Sequence, residues 1–526
     1  MTEARRVLEI KDLTVTHAGA AKPELDHFSL ALNAGETGSG KEALFRALCG
    51  APEHGERISG TIQFGQAALD MKMNRQHSGL RVAYLPSAAS GVLSPNAGVL
   101  SQLSRILARK LGNPRSSAKE ELRIALGRID GAPPLVALRP RPGAIDADSL
   151  VFGFLATAMA QTPDLVLADH VLAQLSPTRA RAVADALIAE QKRLGFALLY
   201  AARGTLVTTW LNGRVFVMRG GKIVEEGPVT RLSSPQAHAY TQMLYRSLAK
   251  PSADLALKQS ARGEPILQVR GLKLTEHARE KRRNHEGITF DLRRGYGVAL
   301  LGEGGSGRRR LLRAMLGLDK PAEGRTIFDS VDIGVLSNAM VSRLRRRVAF
   351  VTGDDDVLDP RMSVHDTVEE PLRAHLGLSR EHMAGYREAA LKRVGLNTLA
   401  GDRTVASLST FDRRRLQIAR AIVSVPRLAV IEEPQRGLGP LEQAVMLDLL
   451  KEFRAQEGPA FLILTANFAL AQALANEAMV FKDGRVVERG TMADLLRAPK
   501  EAYTKSLIEA VTPATPEGLP QAAPQS

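Results

Sequence analysis

Residues 298–312 read VALLGEGGSGRRRLL. Four apolar residues run straight into a loop rich in glycine, and a helical pattern carrying Leu311 and Leu312 opens directly behind it. A buried strand feeding a glycine-rich turn at a helix N-terminus lets backbone N–H groups converge on a phosphate. Gly302, Gly305, Ser306 and Gly307 are therefore candidate phosphate-binding residues. Arg308 stands where such a loop carries Lys, and Arg309 where it carries a Mg²⁺-binding hydroxyl. A guanidinium is planar and larger than an ammonium, so it is not expected to thread the loop as Lys does, and it cannot ligand a cation. The competing reading is a glycine turn ahead of a solvated basic face.

Outward from this loop the chain repeats itself in order. LEIKDL at Leu8 recurs as LQVRGL at Leu267, and VAYL at Val82 as VAFV at Val348. PDLVLAD at Pro163 recurs as PRLAVIE at Pro426, GKIVEEG at Gly221 as GRVVERG at Gly484, and AYT at Ala239 as AYT at Ala502. These last three pairs share an offset of 263 residues (426 against 163, 484 against 221, 502 against 239). A period this long means duplicated domains rather than small stacked repeats. The expected division is residues 1–250, a joining segment 251–264, and a second domain 265–511. The tail 512–526 is Pro-rich and poor in apolar residues, the composition of a disordered segment.

Within each half, apolar runs bounded by turn residues alternate with helical patterns, which predicts an α/β fold on a mainly parallel sheet. Leu165–Ala168, Phe196–Tyr200 and Val215–Met218 read as strands. Between the first two, Ser176 is placed to cap a helix begun by Pro177 and closed by Gly195. The second half repeats the device with Pro440, Val445, Leu449 and Gly458. In mid-half the strands give way to helical spacing, at Val99, Leu103, Ile106 and Leu107 and again at Ala390, Leu391 and Val394, so each half is expected to carry an inserted helical subdomain.

The first half has its own GETGSGKE at Gly35, which matches a phosphate-loop pattern with Lys41 in place. The repeat qualifies the match. Leu32 and Gly35 align with Leu292 and Gly295 at an offset of 260, whereas Gly40 aligns with Gly307 at 267. Seven residues equivalent to Gly297–Glu303 are therefore lacking: the feeding strand and the first glycine of the loop. Loss of a central strand removes ladder partners and core side chains, so local rearrangement is expected there.

Composition bounds the rest. The 526 residues are enough for at least two cores, and 71 Lys plus Arg against 56 Asp plus Glu give a net charge of +15, which favours anionic partners. The single cysteine, Cys49, excludes an internal disulfide and a cysteine-rich metal site, as suits a reducing cytoplasm. The N-terminal stretch turns polar too early for a signal peptide, and no apolar run approaches the ~18 residues of a membrane span.

Two such loops in tandem, with PDLVLAD and PRLAVIEEP downstream and GKIVEEGPV and GRVVERGTM beyond, make the chain resemble the ATP-binding subunits of ABC transporters. VLDPRMSVHDTVEEPLRAH (357–375), HAYTQMLY (238–245) and EAYTKSLIEAV (501–511) resemble segments of the oligopeptide and dipeptide importer branch. The resemblance implies a duplicated P-loop NTPase-type domain whose ligands are ATP and Mg²⁺. It also implies two composite sites, each pairing one half's loop with the other half's signature, whether the halves pair within one chain or with another. The first would use Ser39, Gly40, Lys41 and Glu42, the metal acid Asp169, His170 where the general base belongs, and the signature LSTFD (408–412), which keeps Ser409 but replaces two glycines. The second would join the 302–309 loop, the metal acid Glu432 and the base Glu433 to IDADS (145–149), where Asp146 and Asp148 would repel a triphosphate. Lys41 and Glu433 fall in different sites, so neither holds a full catalytic set, and whether the chain is an enzyme stays open.

The resemblance further implies transmembrane permease subunits and a solute-binding protein as partners, and a cytoplasmic, peripheral place on the inner face of the membrane. Its leading functional expectation is coupling of ATP to import of peptides or similar solutes. The second is a catalytically impaired pseudo-ATPase with an assembly or regulatory role. A nucleic-acid-binding role suits the charge, but tandem proteins of that kind resemble this one only with a long charged linker, and 251–264 is short; no nucleic acid is expected.

Overall fold

A computed structural model describes residues 6–17, 23–33, 37–39, 42–48, 56–64, 67–68, 81–86, 92–172, 175–202, 205–219, 221–232, 234–246, 257, 263–274, 287–354, 357–375, 378–398, 401–423, 425–455 and 458–511. The chain divides into two compact units, Met1–Leu248 and Ala249–Thr512.

The second unit is built on a six-stranded sheet. Its order is Val348–Thr352, Leu428–Glu432, Ala460–Thr465, Gly297–Leu301, Glu477–Lys482, Arg485–Thr491. The first five strands run parallel and the last is antiparallel. Parallel strands covered on both faces must be apolar throughout, and the central runs VALL, LAVI and FLIL are almost wholly inaccessible to solvent. A four-stranded antiparallel sheet, ordered Ile288–Arg293, Pro265–Lys273, Glu323–Phe328, Val331–Asp332, shares a core with one face of it through Leu267, Phe290, Leu300 and Phe481. Helices Val364–His375, Arg380–Arg393 and Thr410–Val423 form the helical subdomain, bound to the other face through Val368, Leu391, Leu416 and Ile431. The glycine loop 302–307 leaves the C-terminal end of the central strand and enters helix Arg308–Met315.

The first unit has the same kinds of layer in a different state of repair. Its antiparallel sheet is ordered Leu25–Asn33, Arg6–His17, Glu56–Phe64, Ala67–Ala68. Its parallel sheet is ordered Thr37–Ser39, Ala197–Ala201, Leu165–Asp169, Val82–Leu85. Residues 37–39, read in the sequence as part of a phosphate loop, thus form a three-residue strand on Ala197–Ala201. In the second unit the strand Gly297–Leu301 has five residues and is paired on both sides. Among the described residues the first unit's ladder ends at 37–39, and Arg214–Arg219 with Lys222–Pro228 makes a separate hairpin. Among the described residues the first unit thus has a three-residue strand and two separate sheets where the second unit has a five-residue strand within one sheet. Helices Val99–Leu111, Arg115–Arg128 and Ala147–Ala160 form this unit's helical subdomain around Leu103, Leu122, Phe152 and Leu155.

Helix Pro177–Leu194 starts and stops where its sequence predicts. The Ser176 hydroxyl accepts from the Arg179 N–H, Pro177 opens the first turn, and Gly195 closes the helix at φ +73°. Ser176→Ala is expected to lower the first unit's stability by about 1 kcal/mol, a loss that chemical denaturation of the full chain measures.

Candidate functional site

The second unit's loop is set by backbone geometry that only glycine meets cheaply. Gly302 sits at φ +150°, and a Cβ there would lie 2.4 Å from the Phe481 carbonyl oxygen. Gly307 sits at φ +96°, its missing Cβ making room for Gly484. The Ser306 carbonyl accepts from the Gly484 N–H at 3.0 Å, and the Gly302 N–H donates to the Thr465 carbonyl at 3.2 Å, so the loop is tied to the end of one neighbouring strand and to the turn that follows Glu477–Lys482.

Arg308 does not project through the loop. It folds back beneath it with 9% of its surface exposed. Nε donates to Ser306 Oγ at 3.0 Å, Nη1 to the Leu300 carbonyl at 3.2 Å and Nη2 to the Glu303 carbonyl at 3.1 Å. Burial lowers its pKa from the ordinary arginine value, with Glu433 and Glu432 opposing the shift. The guanidinium is thus a fixed cation under the glycine turn, bonded to the loop's own backbone.

Arg309 turns the other way. Nε donates to the Glu432 carboxylate and Nη2 to Asp354 Oδ2 at 2.9 Å. Asp354 Oδ1 also accepts from Arg436 Nη1 at 3.0 Å, so one acid is forked between two arginines. The hydrogen bond to Glu432 raises the Arg309 pKa further. Glu432 ends the strand beside the loop strand's neighbour, at the point where acids in parallel sheets meet ligands.

Glu433 is the next residue, in the left-handed region at φ +40°. Its Oε1 accepts from the Ala466 N–H at 2.7 Å. Its Oε2 accepts from the Thr465 hydroxyl and from Gln435 Nε2, each at 2.8 Å. The carboxylate is therefore held firmly at the strand ends, three hydrogen bonds deep in its own chain. Ser409 is exposed at the start of helix Thr410–Val423, where its hydroxyl donates to Asp412 Oδ2 at 2.9 Å and accepts from the Asp412 N–H at 3.0 Å. It serves as a helix cap.

The first unit arranges its candidates differently. Ser39 ends the short strand and Glu42 begins helix Glu42–Leu48, so two residues separate strand from helix, where the second unit has six. Those two, Gly40 and Lys41, lie outside the described residues. A span this short offers far fewer N–H groups to an anion than residues 302–307 do. Asp169 is buried at its strand end and accepts from the Tyr84 hydroxyl at 3.2 Å. His170, also buried, sits at φ +45° with Nε2 3.8 Å from Asp169 Oδ1. Asp146 caps helix Ala147–Ala160 by accepting from the Ser149 N–H at 2.7 Å, and Asp148 lies 3.4 Å from Arg179.

Four contributors have no counterpart among the candidates read from the sequence. Asp354 accepts from both Arg309 and Arg436, and Arg414, 1% exposed, donates from helix Thr410–Val423 to the Gly353 and Asp354 carbonyls. Tyr503, in the tail segment EAYTKSLIEAV, accepts from the loop's Glu303 N–H at 3.0 Å, and burial pushes its hydroxyl up to about 12. An acid two residues past the strand VAFVT was the available signal for Asp354. The other contacts had no local signal.

A glycine loop at a helix N-terminus, on the central strand of a parallel sheet and beside strand-end acids, defines an ATP-binding cassette of the P-loop NTPase class. Residues 285–436 match the family described as "ABC transporter", and residues 224–272 and 487–525 match "Oligopeptide/dipeptide transporter, C-terminal region". The chain is similar to the ATP-binding subunits of ABC transporters, and at its two C-terminal matches to those of oligopeptide/dipeptide importers. It is 28% identical to the "Peptidoglycan transport ATP-binding protein YejF" of Agrobacterium fabrum over 97% of each chain. It is 28% identical to the "Uncharacterized ABC transporter ATP-binding protein YejF" of Escherichia coli K12, over 97% of this chain and 99% of that one. It is 27% identical to the "Glutathione import ATP-binding protein GsiA" of Salmonella typhi, over 98% of this chain and 91% of that one. Proteins of this family bind ATP with Mg²⁺ and act at membranes as peripheral subunits. Among the described residues no helix is long and apolar enough to cross a membrane.

Proposed function

We propose that this subunit couples nucleotide binding to the import of peptides or small peptide-derived solutes, docking on transmembrane permease subunits at the inner face of the membrane and working with a solute-binding protein. The single observation that supports nucleotide binding most is the second unit's loop: six residues cradled between Thr465, Phe481 and Gly484, opening onto a helix N-terminus beside Glu432 and Glu433. Relatives named for peptidoglycan transport and glutathione import support a peptide-like solute.

Hydrolysis is expected to be slow. Phosphoryl transfer needs loop lysine, metal acid, base and signature together, and each unit holds only part of the set. The pairing of Arg309 with Glu432 favours a second reading in which the subunit has an assembly or regulatory role. The two separate in one experiment: peptide uptake and ATP turnover by the full chain reconstituted with its permeases, compared for wild type, Lys41→Ala and Glu433→Gln. A fall in uptake with either variant is the expected result. Uptake indifferent to both establishes the second reading instead.

A further inference from the structure

We infer that the second unit's site binds its phosphate ligand without a divalent cation, the Arg309 guanidinium held by Glu432 and Asp354 supplying the charge that Mg²⁺ would otherwise bring. This rests on the reading that the loop 302–307 takes a nucleotide.

A P-loop holds Mg²⁺ with a hydroxyl immediately after the loop cation and an acid at the end of the neighbouring strand. Here the hydroxyl is replaced by Arg309, and the acid, Glu432, already accepts from Arg309 Nε. The second acid within reach, Asp354, is divided between Arg309 Nη2 and Arg436 Nη1. A divalent ion entering between them would meet a guanidinium in place of a lone pair and would have to displace it from both carboxylates. The residues present do not fit Mg²⁺.

They do fit an anion. Arg308, Arg309 and Arg436 carry three positive charges against the three carboxylates of Glu432, Glu433 and Asp354, so the pocket starts near neutrality before a triphosphate arrives. Arg308 is buried and fully positioned, so its charge under the glycine turn costs no reorganisation on binding. Arg309 is different: its side chain is 58% exposed, so its ion pairs are screened and it can pivot from Glu432 to a phosphate oxygen, where a guanidinium bonds in bidentate fashion. The same exposure makes Arg309→Ser structurally mild.

The test is equilibrium binding of labelled ATP to the full chain carrying Lys41→Ala, which removes the first unit's loop lysine, with Mg²⁺ or with EDTA. Photolabelling by an azido-ATP, followed by recovery of label within residues 265–511, assigns the bound nucleotide to the second unit. The expected Kd agrees within about twofold in the two buffers, and adding Arg309→Ser makes binding metal-dependent by about tenfold or more. Binding that collapses in EDTA while Arg309 is present overturns the inference and leaves the nucleotide reading standing. Metal-indifferent binding by the Arg309→Ser protein overturns the role given to Arg309. Absence of label from 265–511 in either buffer removes the nucleotide reading itself, and the inference with it.

Discussion

Arg414→Ala is expected to destabilise the second unit by about 3–5 kcal/mol, the range for losing a buried charged hydrogen-bond donor together with its packing. Arg414 is among the largest fully buried side chains of the chain, at 1% exposure. Its Nη1 donates to the Asp354 carbonyl at 2.9 Å and its Nη2 to the Gly353 carbonyl. Gln417, one turn along the same helix, accepts from the Thr352 N–H at 2.9 Å. Together they pin the residues following strand Val348–Thr352 to helix Thr410–Val423, and so fix the acid that forks Arg309 and Arg436. Alanine removes the donor to the buried Gly353 carbonyl, leaves the Asp354 carbonyl with only the 3.4 Å bond from Gln417 Nε2, and opens a void where a fully buried side chain stood. For a unit of this size the loss corresponds to a fall of about 6–15 °C in the second unit's calorimetric transition. Arg414→Met separates the contributions: it keeps most of the volume and loses only the hydrogen bonds, so its shift lies between wild type and alanine. A shift under about 2 °C for alanine means that the carbonyls are served by other donors.

The contrast between Arg414 and its helix shows what sequence carries and what it does not. Strands buried on both faces announce themselves as unbroken apolar runs, which is why Leu165–Asp169 and Ala197–Ala201 are read within a residue or two. Helix Pro177–Leu194 is legible because cap and stop are local chemistry at Ser176 and Gly195. The loop 302–307 is legible because its glycines are demanded by φ values and close approaches that no other residue meets.

What the loop cation does is illegible, because it depends on partners far along the chain. Arg309 meets Glu432 across 123 residues and Asp354 across 45, and Tyr503 meets the loop across 200. Arg308 folding under the turn depends on two backbone carbonyls that have no identity in the sequence. The loop pattern marks Arg308 as the residue in the lysine position and is silent on where its guanidinium goes. The strand 37–39 is the converse case. Thr-Gly-Ser has little intrinsic preference for a strand, and tertiary pairing with Leu198, Leu199 and Tyr200 overrides that weak local signal.

That override suggests the second large effect. Inserting GVALLGE, the residues of 297–303, between Glu36 and Thr37 is expected to raise the affinity of the first unit for ATP by about tenfold or more. The inserted VALL is apolar, as a strand between two parallel neighbours must be, and its counterpart pairs with both neighbours in the second unit. Once it occupies the position beside Ala197–Ala201, residues 37–39 are released from that ladder and TGSG (37–40) can take the conformation that GGSG has at 304–307. The gap between strand and helix then grows from two residues to six, restoring the run of N–H groups ahead of Lys41. The same insertion should lengthen the central strand enough to bring Arg214–Arg219 into the sheet, raising the first unit's unfolding temperature together with its affinity. Binding of labelled ATP in Mg²⁺ and calorimetry on the same preparation measure the two effects. Gain of stability without gain of affinity shows that the strand, and not the loop, is what the insertion restores. Gain of neither refutes the register on which the equivalence of Gly40 with Gly307 is founded.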